Sequence, residues 1–141
     1  MARAPLGRLR LTTEACAAIL QAVDSALSMM LADQRRRARD AAEAATAWRS
    51  AIEARLPELV TWLHDRGATE VVLFGSLARG EAGPSSDVDL AVGGLPPEHQ
   101  FRAHAVAARL LQAEVDLIRF EDAPAALVDH IRAEGQKLGG L

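Results

Sequence analysis

From Thr12 onward the apolar residues Cys16, Ile19, Val23, Leu27, Met30 and Leu31 recur at steps of three and four, the period of one helix face. Thr12 or Thr13 can cap that helix, with Glu14 in its first turn. No Gly or Pro falls between Leu11 and Leu56, and Ala45, Trp48, Ile52, Leu56, Leu59 and Leu63 continue the helical spacing. A single helix from Thr13 to His64 would run on the order of 75 Å at 1.5 Å per residue, which is long for a small domain to cover. The polar run Asp33 to Arg37 interrupts the stripe, so the pattern favours a helical hairpin turning near Ala32 to Arg35 over one long helix packed on another chain. Pro57 fits the first turn of a further helix, Pro57 to Arg66, ended by Gly67.

The period then changes from helical to extended. Val71, Val72, Leu73 and Phe74 form a short β-branched and aromatic run that stops at Gly75, the mark of a buried strand. Gly75-Ser76 opens a helical turn, Leu77 to Arg79, closed by Gly80. A second strand follows in Asp87-Val-Asp-Leu-Ala-Val. After the loop Gly93 to Pro97, Glu98 to Gln112 returns to helical spacing with Phe101, Ala105, Ala108 and Leu111. Glu114 to Phe120 reads as a third strand, and Asp122 as the cap of a last helix through Glu134 that turns Val128 and Ile131 inward. Residues 1–11, with Pro5, Gly7 and three Arg, read as a loose end. The expectation is an α/β fold: a small mixed sheet of at least three strands, helices on its faces, and an N-terminal helical extension.

Composition narrows the class. A chain of 141 residues suits one domain, and half-hydrophobic, quarter-charged usage is that of a soluble globular protein. No run approaches eighteen uninterrupted apolar residues. Glu14, Gln21 and Asp24 interrupt the stretch after the N-terminal arginines, so neither a membrane span nor a signal peptide is expected. A single cysteine, Cys16, excludes an internal disulfide and suits a small buried hydrophobe; the chain reads as cytoplasmic. The net charge of −3 is uneven: residues 1–66 hold ten Lys/Arg and eight Asp/Glu, residues 67–141 six and eleven. The second half has no basic stripe to track a phosphate backbone, so a nucleic-acid partner is not expected. The run Arg35-Arg36-Arg37-Ala38-Arg39 reads as a solvated helix face beside Asp33, Asp40 and Glu43.

The chemistry concentrates between Thr69 and Val92. A helix N-terminus after a strand offers unpaired N–H groups, and a Gly there lets phosphate oxygens come close. Ten residues beyond Ser76 the chain reaches Asp87. On a strand of period two, Asp87 and Asp89 point to one side, where like charges repel unless a cation sits between them. Asp116, between Val115 and Leu117, is a misfit in a core strand by propensity, and such misfits often mark sites. The four histidines show no metal-ligand spacing, and no Ser-His-Asp or Cys-His arrangement can be read.

Gly75-Ser76-Leu77-Ala78-Arg79-Gly80 followed by Ser86-Asp87-Val88-Asp89-Leu90 resembles the signature of the polymerase-beta-like nucleotidyltransferases. The spacing is most similar to that of the small prokaryotic minimal nucleotidyltransferases, many of which are antitoxins paired with HEPN-domain toxins. The resemblance covers roughly Leu56 to Lys137 and leaves the N-terminal region unexplained. It implies a palm-like core in residues 56–141 and leaves residues 1–55 as an extension for association or partner contact, with a homo-oligomer one outcome. It further implies Asp87, Asp89 and Asp116 as the catalytic, metal-binding carboxylates for two Mg²⁺ ions. Gly75 and Ser76 would hold the β,γ-phosphates of ATP, and Arg79 would neutralise the leaving pyrophosphate. The activity implied is transfer of AMP from ATP to a hydroxyl of a HEPN-like toxin. A non-catalytic antitoxin acting by contact alone and a small-molecule (antibiotic) nucleotidyltransferase are the alternatives.

Overall fold

A computed structural model describes residues 12–139; the loose end expected for residues 1–11 lies outside them. The chain divides into two compact units, one ending at Ala41 and the other running Ala42–Leu141. The described part of the first is helical throughout, capped by Thr12, whose Oγ1 accepts from the N–H of Ala15 at 3.2 Å. Its large apolar residues, Ile19, Leu20, Val23, Leu27 and Met29 to Leu31, are all about half exposed or more, and Cys16, expected to be buried, is partly exposed. By length and composition alone this helix is long and apolar enough to cross a membrane.

The hairpin expected near Ala32 to Arg35 does not form: helix α1 runs unbroken over Thr13–Asp65. Nothing in the polar run stops a helix, since it holds no Gly or Pro, and Arg37 bridges back to Asp33 at 2.9 Å across one turn. Pro57 likewise sits inside α1 rather than opening a new helix. It costs one backbone hydrogen bond there, and the burial of Ile52, Leu56, Leu59 and Leu63 on either side of it offsets the loss.

The sheet is mixed and four-stranded, in the order β3-β2-β1-β4, with β1 Glu70–Phe74, β2 Val88–Gly93, β3 Val115–Arg119 and β4 Gln136–Leu138. β1 pairs antiparallel with β2 and β4, and β2 pairs parallel with β3. The expected α/β fold is the observed one, with β4 as an unforeseen fourth strand. Partnered residues share a face, so the two faces separate cleanly. On one, Val71, Leu73, Leu90, Val92, Val115 and Leu117 form a single buried cluster with Ile52, Leu56, Leu59 and Leu63 of α1. Helix α3, Gln100–Leu111, adds Ala103, Ala107 and Leu111 to it. On the other face only Val72, Ala91, Phe120 and Ile131 are buried together among the described residues, with helix α4, Ala125–Glu134, lying over them.

Short polar ties fix the sheet's rim. His104 of α3 bonds the carbonyl of Val115, and Arg119 donates to the carbonyl of Leu95 at 2.8 Å and to Asp122 at 2.8 Å. Asp122 therefore holds Arg119 rather than capping α4, whose N-terminal neighbour is Pro124 with no side-chain cap.

Candidate functional site

β1 delivers the chain to Gly75, where φ of +74° places the backbone in the left-handed region that glycine enters without strain. A second constraint acts at the same residue. A Cβ there would run into the carboxylate of Asp89, whose Cγ lies 3.0 Å from that position. Gly75 is thus the close-approach residue that lets the first turn and the second strand share a site. Helix α2, Gly75–Ala78, is a single turn with no side-chain cap, and Arg79 and Gly80 close it through N–H bonds to the carbonyls of Gly75 and Leu77 at 3.2 and 3.1 Å. Gly80, at φ +73°, reverses the chain.

The loop back to β2 is held at both ends. The carbonyl of Ala82, fully buried, accepts from Arg49 of α1 at 2.9 Å. Ser86 Oγ accepts from the N–H of Gly83 at 3.0 Å while the Ser86 N–H donates to the Gly83 carbonyl at 2.8 Å. Val88 N–H then bonds the Glu114 carbonyl at 2.8 Å, which locks the start of β2 to the start of β3. That lock sets the register in which Asp89 stands opposite Asp116, with Phe74 its partner on the other side.

Asp89 is the centre of the electrostatics. It is half buried in β2, while Asp87 just before the strand and Asp116 in β3 are exposed. Burial raises its carboxyl pKa above the ordinary 3.8, the negative charges of Asp116 and Asp87 push the same way, and Arg79 works against them. Three of the sequence-predicted residues therefore act on the charge of a fourth, and a fifth, Gly75, touches it. Arg79 is exposed and pairs with Glu81 at 3.1 Å. Ser76, half buried, accepts the N–H of Glu81 at 2.9 Å through its carbonyl.

Among the described residues no three His, Cys, Asp or Glu side chains close into a ready-made ion cage. The donor set nevertheless fits magnesium, a hard cation that takes one or two carboxylates plus substrate phosphates and keeps several waters. The like charges gathered on Asp89 are what a divalent cation would relieve. What sequence reading missed is the wall beside the turn: Leu127, His130, Ile131 and Glu134 of α4 border a cavity that also touches Phe74, Gly75 and Arg79. His130 near a helix end gave no signal of it.

Fold and carboxylates together define a nucleotidyltransferase-type core. The chain belongs to the polymerase beta nucleotidyltransferase family, whose model matches residues 63–139. A solved minimal nucleotidyltransferase is 28% identical, covering 64% of this chain and 95% of that one, at a TM-score of 0.60. A toxin–antitoxin crystal structure with AMP-PNP is 26% identical over 63% of this chain and 73% of that one, at 0.54. The tri-AMPylated Shewanella oneidensis HEPN toxin in complex with its MNT antitoxin shares the fold, at 22% identity over 64% and 73% and a TM-score of 0.51. No curated protein matches the chain.

Proposed function

We propose that the protein is a Mg²⁺-dependent nucleotidyltransferase that moves AMP from ATP onto a hydroxyl of a helical HEPN-type toxin, acting as its antitoxin in the cytoplasm. The observation that carries the reading is the convergence on Asp89, with Asp116 across from it in register and Asp87 two residues before it. Kinship to a toxin–antitoxin structure with AMP-PNP supports both the nucleotide and the partner. Asp87, Asp89 and Asp116 would hold the metal, which when bound supplies positive charge to the phosphates and lowers the pKa of the acceptor hydroxyl. The Gly75 and Ser76 turn receives the β,γ-phosphates, and Arg79 balances charge on the departing pyrophosphate. The acceptor oxygen bonds to the α-phosphorus in line with the breaking bond to the β-phosphate oxygen, and the hydroxyl proton passes to Asp116.

The chain has no tyrosine, so a tyrosine acceptor comes on the partner. Residues 1–55 serve association, either with that partner or with a second copy. The test is mass spectrometry of the co-encoded helical partner after incubation with this protein, ATP and Mg²⁺. An added AMP on a partner tyrosine is the expected result. A partner that stays unmodified yet is neutralised equally by the Asp87→Asn variant would establish an antitoxin that works by contact alone.

A further inference from the structure

The loop that joins α2 to β2, residues 81–87, ends on one of the three acids, and its holds are short-ranged at first. The Glu81 N–H bonds the Ser76 carbonyl at 2.9 Å, within the turn it has just left. Residues 83–86 form a β-turn, closed by the Ser86 N–H on the Gly83 carbonyl at 2.8 Å. Ser86 Oγ accepts from the Gly83 N–H at 3.0 Å and closes it a second time. Pro84 stands at the second position of the turn, where its ring presets φ. Residues 83–86 are therefore a stiff link, and Asp87 follows directly. Such a link places Asp87 only if its other end is fixed.

That end is Ala82, which is fully buried. Its carbonyl accepts from Nη1 of Arg49 at 2.9 Å, a bond from α1 to the middle of the loop. The guanidinium is itself held. Nη2 donates to Thr46 Oγ1 at 3.4 Å, and that hydroxyl gives its own proton to the Ala42 carbonyl at 2.9 Å. Among the described residues no carboxylate pairs with Arg49, so its charge strengthens the bond to the carbonyl. Gly83 lies beside the same stretch of helix, since a Cβ there would stand 3.7 Å from the Ala45 side chain. The loop thus rests on residues 42–49 of α1.

A buried carbonyl without a donor is costly, and a loop relieves that cost by moving to where water reaches it. Without Arg49 the Ala82 carbonyl would be in that position, and the stiff link would carry Asp87 away from Asp89 and Asp116. Resting on the nucleotide-transfer reading of the acidic centre, we propose that Arg49 is a positioning residue for it. By holding the Ala82 carbonyl, Arg49 sets where Asp87 stands. Arg49 lies before residues 63–139, which carry the family match, so this support comes from beyond the matched core. Residues 42–55 then serve the site as well as any association, and a catalytic unit cut at residue 56 would lack the support.

Calorimetric titration of the full chain with a non-hydrolysable ATP analogue, repeated over a range of Mg²⁺ concentrations, tests this. Arg49→Met keeps a long side chain of good helix propensity and removes the donors. It should raise the Mg²⁺ concentration for half-maximal binding about tenfold, the scale of one charge-assisted hydrogen bond. Arg49→Lys, which keeps a cationic donor, should recover most of that loss. Leu63→Ala, fully buried on the same helix, should destabilise the fold and leave the Mg²⁺ requirement unchanged. Hydrogen exchange of the ligand-free protein is the second readout. Arg49→Met should speed the amides of residues 81–87 and leave those of α3 as they are. An unchanged Mg²⁺ requirement in Arg49→Met, an equal rise in Leu63→Ala, or unchanged exchange over the loop would each overturn the assignment and leave the nucleotide reading standing. A wild-type protein that binds no analogue at any Mg²⁺ concentration brings down that reading, and the assignment with it.

Discussion

The two faces of the sheet have divided the work of the protein. One gathers nineteen buried apolar residues among the described ones, from α1, α2, α3, alternate positions of the strands and the loops between them; the other gathers four. The sparse face carries Asp89 and Asp116 at its edge, where the packed face has Val88, Leu90 and Val115 one residue away in the same strands. Burying a carboxylate among apolar neighbours raises its cost, and repeating it on an adjacent strand adds repulsion. The packed face supplies stability that the other face does not have to provide, and so the acids can be kept where they are electrostatically unfavourable.

The strongest way to break this comparison is Asp89→Asn. Transfer measured with ATP and Mg²⁺ should fall by about a thousandfold or more, while the thermal midpoint stays level or rises because repulsion is relieved. A variant that loses activity by unfolding would show instead that Asp89 is structural. Next comes Leu63→Ala on the packed face, where the side chain is fully buried. It should cost about 2–5 kcal/mol in denaturant unfolding and leave the activity per folded molecule unchanged.

The smallest effect sharpens the contrast by pH. Asp89 has a raised pKa in the folded state, so the fold binds its proton more tightly than the unfolded chain does. Its penalty is absent below the ordinary 3.8 and grows as pH rises through the folded pKa, being complete above it. Glu121, at the opposite end of the sheet, behaves the other way. Its carboxylate accepts the Gly94 N–H at 2.6 Å, which lowers its pKa below 4.5, so its contribution is full above that value and is lost as pH falls through the folded pKa. Stability differences between wild type and Asp89→Asn, and between wild type and Glu121→Gln, should therefore shrink together in acid but carry opposite signs at neutrality.

The strand–turn–strand centre was legible because its physics is local. A β-branched run, a Gly that only a left-handed turn or a close approach requires, and an acid pair at period two all sit within Val71 to Leu90. What decides the rest is not local. That Asp116 falls opposite Asp89, rather than one residue off and on the other face, is fixed by the Val88–Glu114 bond between strands. The continuity of α1 escapes the hydrophobic pattern because an interruption in a stripe says only that burial stops, while the helix itself persists through i,i+4 pairing. β4 is three residues long, two of them polar, too short for alternation to register. The cavity wall on α4 needed the three-dimensional fold, since its residues lie some fifty positions from Gly75 in the chain.

Among the described residues β3 is paired on one side only, with β2, and forms an edge of the sheet. An edge strand leaves a row of N–H and C=O groups unpaired along one side, and a segment that opens locally exchanges its amides with solvent without global unfolding. Were β3 to open in this way, Asp116 would leave with it, while Asp87 and Asp89 would stay with β2. Whatever depends on all three acids is available only for the fraction of time that the edge is closed, and apparent affinity for it is reduced by that fraction. A ligand that needs Asp116 must in turn slow hydrogen exchange along Val115–Arg119, and one that needs only the other two acids must leave it alone.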